Sequence, residues 1–147
     1  LISEVACACM AEGITLYDRV QQIFKEYGYF VEKVVSTTLP GKDGLTRMKE
    51  IMAGLRTNPP KEIAGLKVTA VRDYLKGVRT ENGKEEPTGL PTSDVLYFEL
   101  EGGCWVCVRP SGTEQKIKLY VNSNDKTQEA ADALNDRLCE ASKALMV

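Results

Sequence analysis

The stretch of this 147-residue chain whose residue types could do chemistry is Arg109-Pro110-Ser111-Gly112-Thr113-Glu114-Gln115-Lys116-Ile117-Lys118. The chemistry they suit is the binding of a phosphate. Arg109 offers a planar, two-pronged donor to phosphate oxygens. Ser111 and Thr113 supply hydroxyl donors. Gly112 permits close backbone approach and a positive φ, so successive amides can form an anion-binding nest. Pro110 stiffens the loop before a ligand arrives, which lowers the ordering cost. Lys116 and Lys118, on one strand face, add positive potential. Glu114 opposes that field unless it points away or pairs with a lysine. On composition alone, an ordinary polar turn with solvated charges fits equally well. No Gly-rich run leads into Gly-Lys-Ser/Thr and a helix, so this is not a Walker A loop.

The remaining composition excludes other chemistries. The chain has no His, which removes a Ser–His or Cys–His dyad within it and any His-ligated zinc. Five Cys stand at 7, 9, 104, 107 and 139. The odd count, with no secretory segment in view, predicts reduced thiols in a cytoplasmic protein. Cys104-Trp105-Val106-Cys107 spells C-x-x-C, but a strand would put its two thiols on opposite faces. No second pair completes a metal site, so none is expected. The net charge of −2 and 7% aromatic content argue against a nucleic-acid or membrane-surface binder. No apolar run approaches the roughly 20 residues of a membrane span.

The chain starts inside an apolar run, which reads as a piece cut from a longer protein. An Ala-rich helix over about 1–12 precedes Gly13, and Thr15 with Asp18 forms a capping box for a second helix ending at Gly28. Tyr29 to Thr38 is a strand, and 40–44 is turn chemistry. A helix then carries Leu45, Met48, Ile51, Met52 and Leu55 on one face and stops before Pro59-Pro60. A second strand spans Leu66 to Tyr74, and 76–92 reads as a long polar loop. Three more strands follow, Val95–Leu100, Cys104–Val108 and Lys116–Val121, the first two joined by Glu101-Gly102-Gly103. Trp105 is expected in the core. The last helix starts near Asp125, with Ala130, Leu134, Leu138, Ala141 and Leu145 inward. The fold class is therefore α+β: an antiparallel sheet with helices packed on one face, preceded by two helices. The expected units are a helical remnant of a preceding domain at 1–27 and a phosphate-binding domain at 28–147.

Arg109-Pro-Ser-Gly-Thr-Glu followed by Lys116-Ile-Lys-Leu-Tyr120 closely resembles the C-terminal phosphate-binding loop of the α-D-phosphohexomutases, the phosphoglucomutase and phosphomannomutase enzymes. The likeness extends to Leu90-Pro91, Asp94-Val95-Leu96, Ile2-Ser-Glu-Val, Leu16-Tyr-Asp, Tyr27-Gly-Tyr-Phe30, Gly41-Lys-Asp-Gly44 and Asp73-Tyr74. These matches cover essentially the whole chain and lean toward the phosphoglucomutase branch. Gln115 departs from the pattern: the family usually has Pro there, which implies a less stiff loop.

The resemblance implies a four-domain parent. Domain one would donate a phosphoryl group from a phosphoserine, domain two would hold Mg²⁺, and domain three would read the sugar hydroxyls. Domain four, with a fold like the TATA-binding protein repeat, would grip the phosphate that is not transferred. A glucose 1,6-bisphosphate-type intermediate would then reorient. Carried over by motif, the phosphate contacts are Arg109, Ser111, Gly112 and Thr113, with Lys118 in a supporting electrostatic role. The partners implied are a hexose phosphate and domains one to three of the same chain. No nucleophile motif, metal loop or sugar-specificity loop is recognisable here, so the chain alone is expected to be inactive. Domain four is also expected to swing, with its hinge near Gly28. The rival reading is a non-catalytic, sheet-based module that binds nucleic acid or protein.

Overall fold

Strand alternation, helix caps and a handful of glycines build one α+β unit and a helical hairpin beside it. A computed structural model of the chain describes residues 1–146. The hairpin is α1 (Ile2–Ala11) and α2 (Leu16–Tyr27). The chain continues through β1 (Tyr29–Thr38), α3 (Gly44–Thr57), β2 (Glu62–Ile63) and β3 (Leu66–Asp73). Next come β4 (Val78–Glu81), β5 (Lys84–Pro87) and β6 (Leu96–Leu100). The last elements are β7 (Trp105–Pro110), β8 (Lys116–Asp125) and α4 (Gln128–Ala144).

The strands run antiparallel in the order β1-β8-β7-β6-β3-β4-β5, with β2 added on β3. One face is apolar by alternation: Leu96, Phe98, Leu100, Val106, Val108, Ile117, Leu119 and Val121 are all buried. Helices α3 and α4 cover it with Met48, Met52, Leu55, Leu134 and Leu138. The antiparallel α+β arrangement with helices on one face is the expected one. The core cluster draws on residues from Leu39 to Met146 and on none from α1 or α2. The helical hairpin leaves Ile2, Met10, Tyr17, Val20 and Ile23 exposed.

Asn135, absent from the sequence reading, crosses the layers. It is fully buried, and its Nδ2 donates to Val31 O at 2.8 Å and Val121 O at 3.3 Å. It thereby ties α4 to the edge strand β1. Arg56, in the last turn of α3, does similar work at the other end. Its Nε donates to Asp73 Oδ1 at 3.2 Å, and its Nη2 pairs with Asp94, just before β6. Burial alone would lower the Arg56 pKa, but the bonds to Asp94 and Asp73 outweigh it and raise it.

Several expectations are corrected. Residues 76–92 are not one long loop but contain the hairpin β4–β5. Asn82 and Gly83 turn it, both at positive φ (49° and 77°), as a two-residue hairpin turn requires. β8 runs to Asp125 because its ladder with β1 continues to the pair Tyr29–Asp125. The last helix therefore starts later, capped by Thr127 Oγ1, which accepts from Ala130 N at 3.2 Å. Ala131, not Ala130, is buried, and its carbonyl accepts the Ser123 hydroxyl at 2.7 Å. The Thr15–Asp18 capping box is present. Gly28 has φ 101°, and a Cβ there would stand 2.8 Å from Asn124 Oδ1, so only glycine fits.

Trp105 is not in the core. It stands half-buried on the sheet face without helices, stacked on Tyr97 with ring centroids 5.1 Å apart. Alternation fixes its face, and Val106, not Trp105, points to the helices. The Arg72 guanidinium lies over the Tyr97 ring at 5.1 Å. Arg72 and Arg79 both bind Glu99, Arg79 through Nε and Nη2 at 2.8 Å each. These bonds, Arg79 first, hold the Glu99 carboxyl at about 2, below its ordinary 4.5, against the opposing effect of partial burial. Because the folded value lies below the unfolded one, the stabilisation is complete above pH 4.5 and is lost as pH falls toward 2. The difference in thermal midpoint between the unaltered chain and Glu99→Gln is accordingly expected to be widest near neutrality and to vanish in acid. Parallel curves across that range would contradict this.

Candidate functional site

The Arg109–Lys118 segment folds as the end of β7, a turn, and the start of β8. The turn is closed by Ser111 N donating to Lys116 O at 2.8 Å. Ser111 Oγ accepts from Glu114 N at 3.2 Å and from Thr113 N at 3.5 Å. A serine hydroxyl accepting from following amides is a local turn motif, and it gathers the loop's donors around one oxygen. Gly112 corrects an expectation: it is not among the glycines with positive φ. The loop's amides are organised by Ser111 rather than by a left-handed residue. A Cβ at Gly112 would meet open space, so packing within the chain does not itself require a glycine there.

Arg109, Ser111, Gly112, Thr113 and Lys118 come together as expected, lining one concavity of about 300 Å³ with Pro110. Tyr120 also lines it and was missed. Its signal was present in the sequence: it continues the outward face of Lys116 and Lys118. Lys116, by contrast, is not in the lining. Its Nζ pairs with Glu114 at 2.5 Å, the pairing expected for that carboxylate. The lysine accordingly lowers the Glu114 pKa.

Register supplies the decisive electrostatic fact. Arg109 lies directly opposite Lys118 across the β7–β8 ladder. Like charges facing each other on neighbouring strands repel. Among the described residues, neither has a carboxylate within 4.0 Å. Arg72 and Arg79, on the same face, spend their charge on Glu99. The concavity therefore holds two unspent cations, two hydroxyls and exposed backbone. That set has the chemistry to suit an anion with several oxygens.

No thiol lines the concavity. Cys107, next to Arg109 in sequence on that face, has its thiol pushed up to about 11 by burial, against the pull of the Arg109 charge. It stays protonated at neutral pH. Cys104 is buried on the opposite face. Among the described residues no three Cys, His, Asp or Glu side chains converge. No helix among them is long and apolar enough to cross a membrane.

Comparison with known proteins shows the family. Residues 47–141 match the family model for the phosphoglucomutase/phosphomannomutase C-terminal domain. The chain belongs to this family.

Two bacterial relatives align with most of the chain. The phosphoglucomutase of Staphylococcus haemolyticus (strain JCSC1435) is 40% identical over 115 residues, covering 77% of this chain and 21% of that protein. That of Staphylococcus aureus (strain MRSA252) is 39% identical over 124 residues, covering 83% and 22%. The chain thus spans about a fifth of the length of these phosphoglucomutases. The same fold occurs in the open form of the Paramecium exocytosis-sensitive phosphoprotein pp63/parafusin, a phosphoglucomutase. There the TM-score is 0.55 at 15% identity, over 90% of this chain and 22% of that one.

Proposed function

We propose that this chain is the phosphate-gripping C-terminal part of an enzyme that interconverts hexose 1-phosphate and hexose 6-phosphate. One observation carries the reading: Arg109 and Lys118 face each other without a counter-ion beside the hydroxyls of Ser111 and Thr113. A phosphate dianion bridging the two cations turns an unfavourable pair into a binding site. Arg109 takes two oxygens, Ser111, Gly112 and Thr113 present hydroxyl and amide donors, and Lys118 supplies field.

The grip fits the proposed chemistry. Phosphoryl transfer depends mainly on positioning and charge stabilisation. Holding the phosphate that does not react orients the one that does. In this proposal the phosphoserine, the Mg²⁺ site and the sugar-reading loop belong to domains one to three of the same protein. The bisphosphorylated intermediate, of the glucose 1,6-bisphosphate type, reorients while this site accepts either end. Residues 1–27 belong to the preceding domain, 28–147 form the C-terminal unit, and Gly28 marks the hinge. The working compartment is the cytoplasm. In this proposal nucleic acid is not the partner: of the open-face arginines, Arg72 and Arg79 are already paired with Glu99, which leaves a local Arg109–Lys118 pair and not an extended basic surface.

An interconversion assay tests this on the longer protein, the same protein lacking residues 28–147, and the 147-residue chain alone. Turnover is expected only from the first. Robust turnover by the isolated chain, or undiminished turnover without residues 28–147, would overturn the proposal.

A further inference from the structure

Gln115 stands at the seam between the loop and the turn that leads into α3. Its backbone carbonyl accepts from Leu39 N at 2.8 Å. Its side-chain amide, with Nε2 toward the carbonyls it faces, donates to Leu39 O at 3.1 Å and Gly41 O at 2.9 Å. Gly41 O also accepts from Gly44 N, at 3.2 Å, where α3 begins. A Cβ at Gly44 would stand 2.2 Å from the backbone oxygen of Leu39 and 2.5 Å from the Gln115 amide, so both would have to shift for a side chain there. Gly44 is buried, and its missing side chain leaves a seat for the Gln115 amide.

We propose that Gln115 is a positioning residue for the phosphate grip, fastening the end of the loop to the first turn of α3 so that occupancy of the loop is felt at Leu39–Gly44. The inference rests on the phosphate reading of the concavity and deepens it. Gln115 does not line the concavity, so it acts through the loop and not on the ligand. A proline would stiffen this position by fixing φ. Gln115 does so by three hydrogen bonds to a neighbouring segment, which makes the stiffness communicable.

Amide NMR of the 147-residue chain, with glucose 1-phosphate as probe, tests this in Gln115→Ala and Gln115→Glu. The second variant keeps the size but sets a carboxylate against two carbonyl oxygens. In the unaltered chain, saturation is expected to shift Ser111, Gly112 and Thr113 together with Gly41 and Gly44. In Gln115→Ala the Kd is expected to rise about fivefold, the worth of one net hydrogen bond. Gly41 and Gly44 should then stop responding, and ligand-free amide exchange at 111–114 should speed up by a similar factor. Gln115→Glu should weaken binding at least as much. An unchanged Kd with Gly41 and Gly44 still responding would overturn the role of Gln115 and leave the phosphate site standing. If the probe shifts no loop amide in the unaltered chain, the phosphate reading fails, and ligand-free exchange alone decides. Faster exchange at 111–114 in the variants upholds the clamp, and unchanged exchange overturns it.

Discussion

Replacing Arg109 with alanine is expected to abolish measurable sugar-phosphate binding while leaving the fold intact or slightly firmer. The binding loss follows from removing a charge-assisted, two-pronged donor, worth about 2–3 kcal/mol, or roughly 30- to 150-fold in affinity. A lone phosphate grip binds on the order of millimolar, so the variant falls beyond practical titration. The effect on stability should have the opposite sign. In the free chain Arg109 faces Lys118 with no carboxylate near either. Deleting one of two opposed cations relieves a repulsion of about 0.2–1 kcal/mol. A purely structural Arg109 would lose stability with the charge. Lys118→Met should show the same pair of signs with a smaller binding loss, since Lys118 offers no planar fork. Affinity by titration and stability by urea unfolding separate the two accounts.

The largest expected stability effect is Arg56→Ala, a loss of about 3 kcal/mol measured by urea unfolding near pH 7. Asp73 and Arg56 have side chains only 9% and 13% exposed, so truncating the arginine strands a buried carboxylate. Asp73 keeps one donor, Leu75 N at 3.0 Å, and Asp94 is half exposed, which places the loss at the low end for a broken buried pair. Because the penalty comes from the stranded charge, removing both partners should hurt less than removing one. Arg56→Met combined with Asp73→Asn is expected to recover at least half the loss. A double variant as unstable as the sum of its parts would show that the ion pair is not the cause. The same arginine orders Asp94 at the entry to β6, so segment 88–94 should exchange its amides faster in Arg56→Ala.

The sequence shows the sheet wherever one face is covered. In β6, β7 and β8 the burial alternates because only one side meets helices, and that alternation is written in the residue types. The β4–β5 hairpin was illegible by that rule. Its strands lie at the far edge of the sheet and carry Arg79, Glu81, Lys84, Glu85 and Glu86, so no apolar period marks them. The remaining signal was Asn82-Gly83, which is turn chemistry rather than composition. Trp105 shows a second limit. Periodicity says which residues share a face, not which face the helices choose.

The site was readable in its parts but not in its pairing. Arg109, Ser111, Gly112, Thr113 and Lys118 announce themselves by type and by resemblance to a family loop, and they line one concavity. That Arg109 and Lys118 stand directly opposite each other depends on strand register, which no local pattern fixes. Residue type says that Gly112 can adopt a positive φ, not that it does. The fold instead uses the Ser111 hydroxyl to turn the amides. The seat of Gln115 lies between segments some seventy residues apart and has no sequence signature.

The most direct test of the central claim is an amide NMR titration of this chain with glucose 1-phosphate, with glucose as the control. Saturable shifts at Ser111, Gly112 and Thr113 with the phosphate ester, and none with glucose, are the predicted result. Equal responses to both ligands, or no response to the ester at concentrations well above millimolar, would contradict a phosphate grip formed by Arg109 and Lys118.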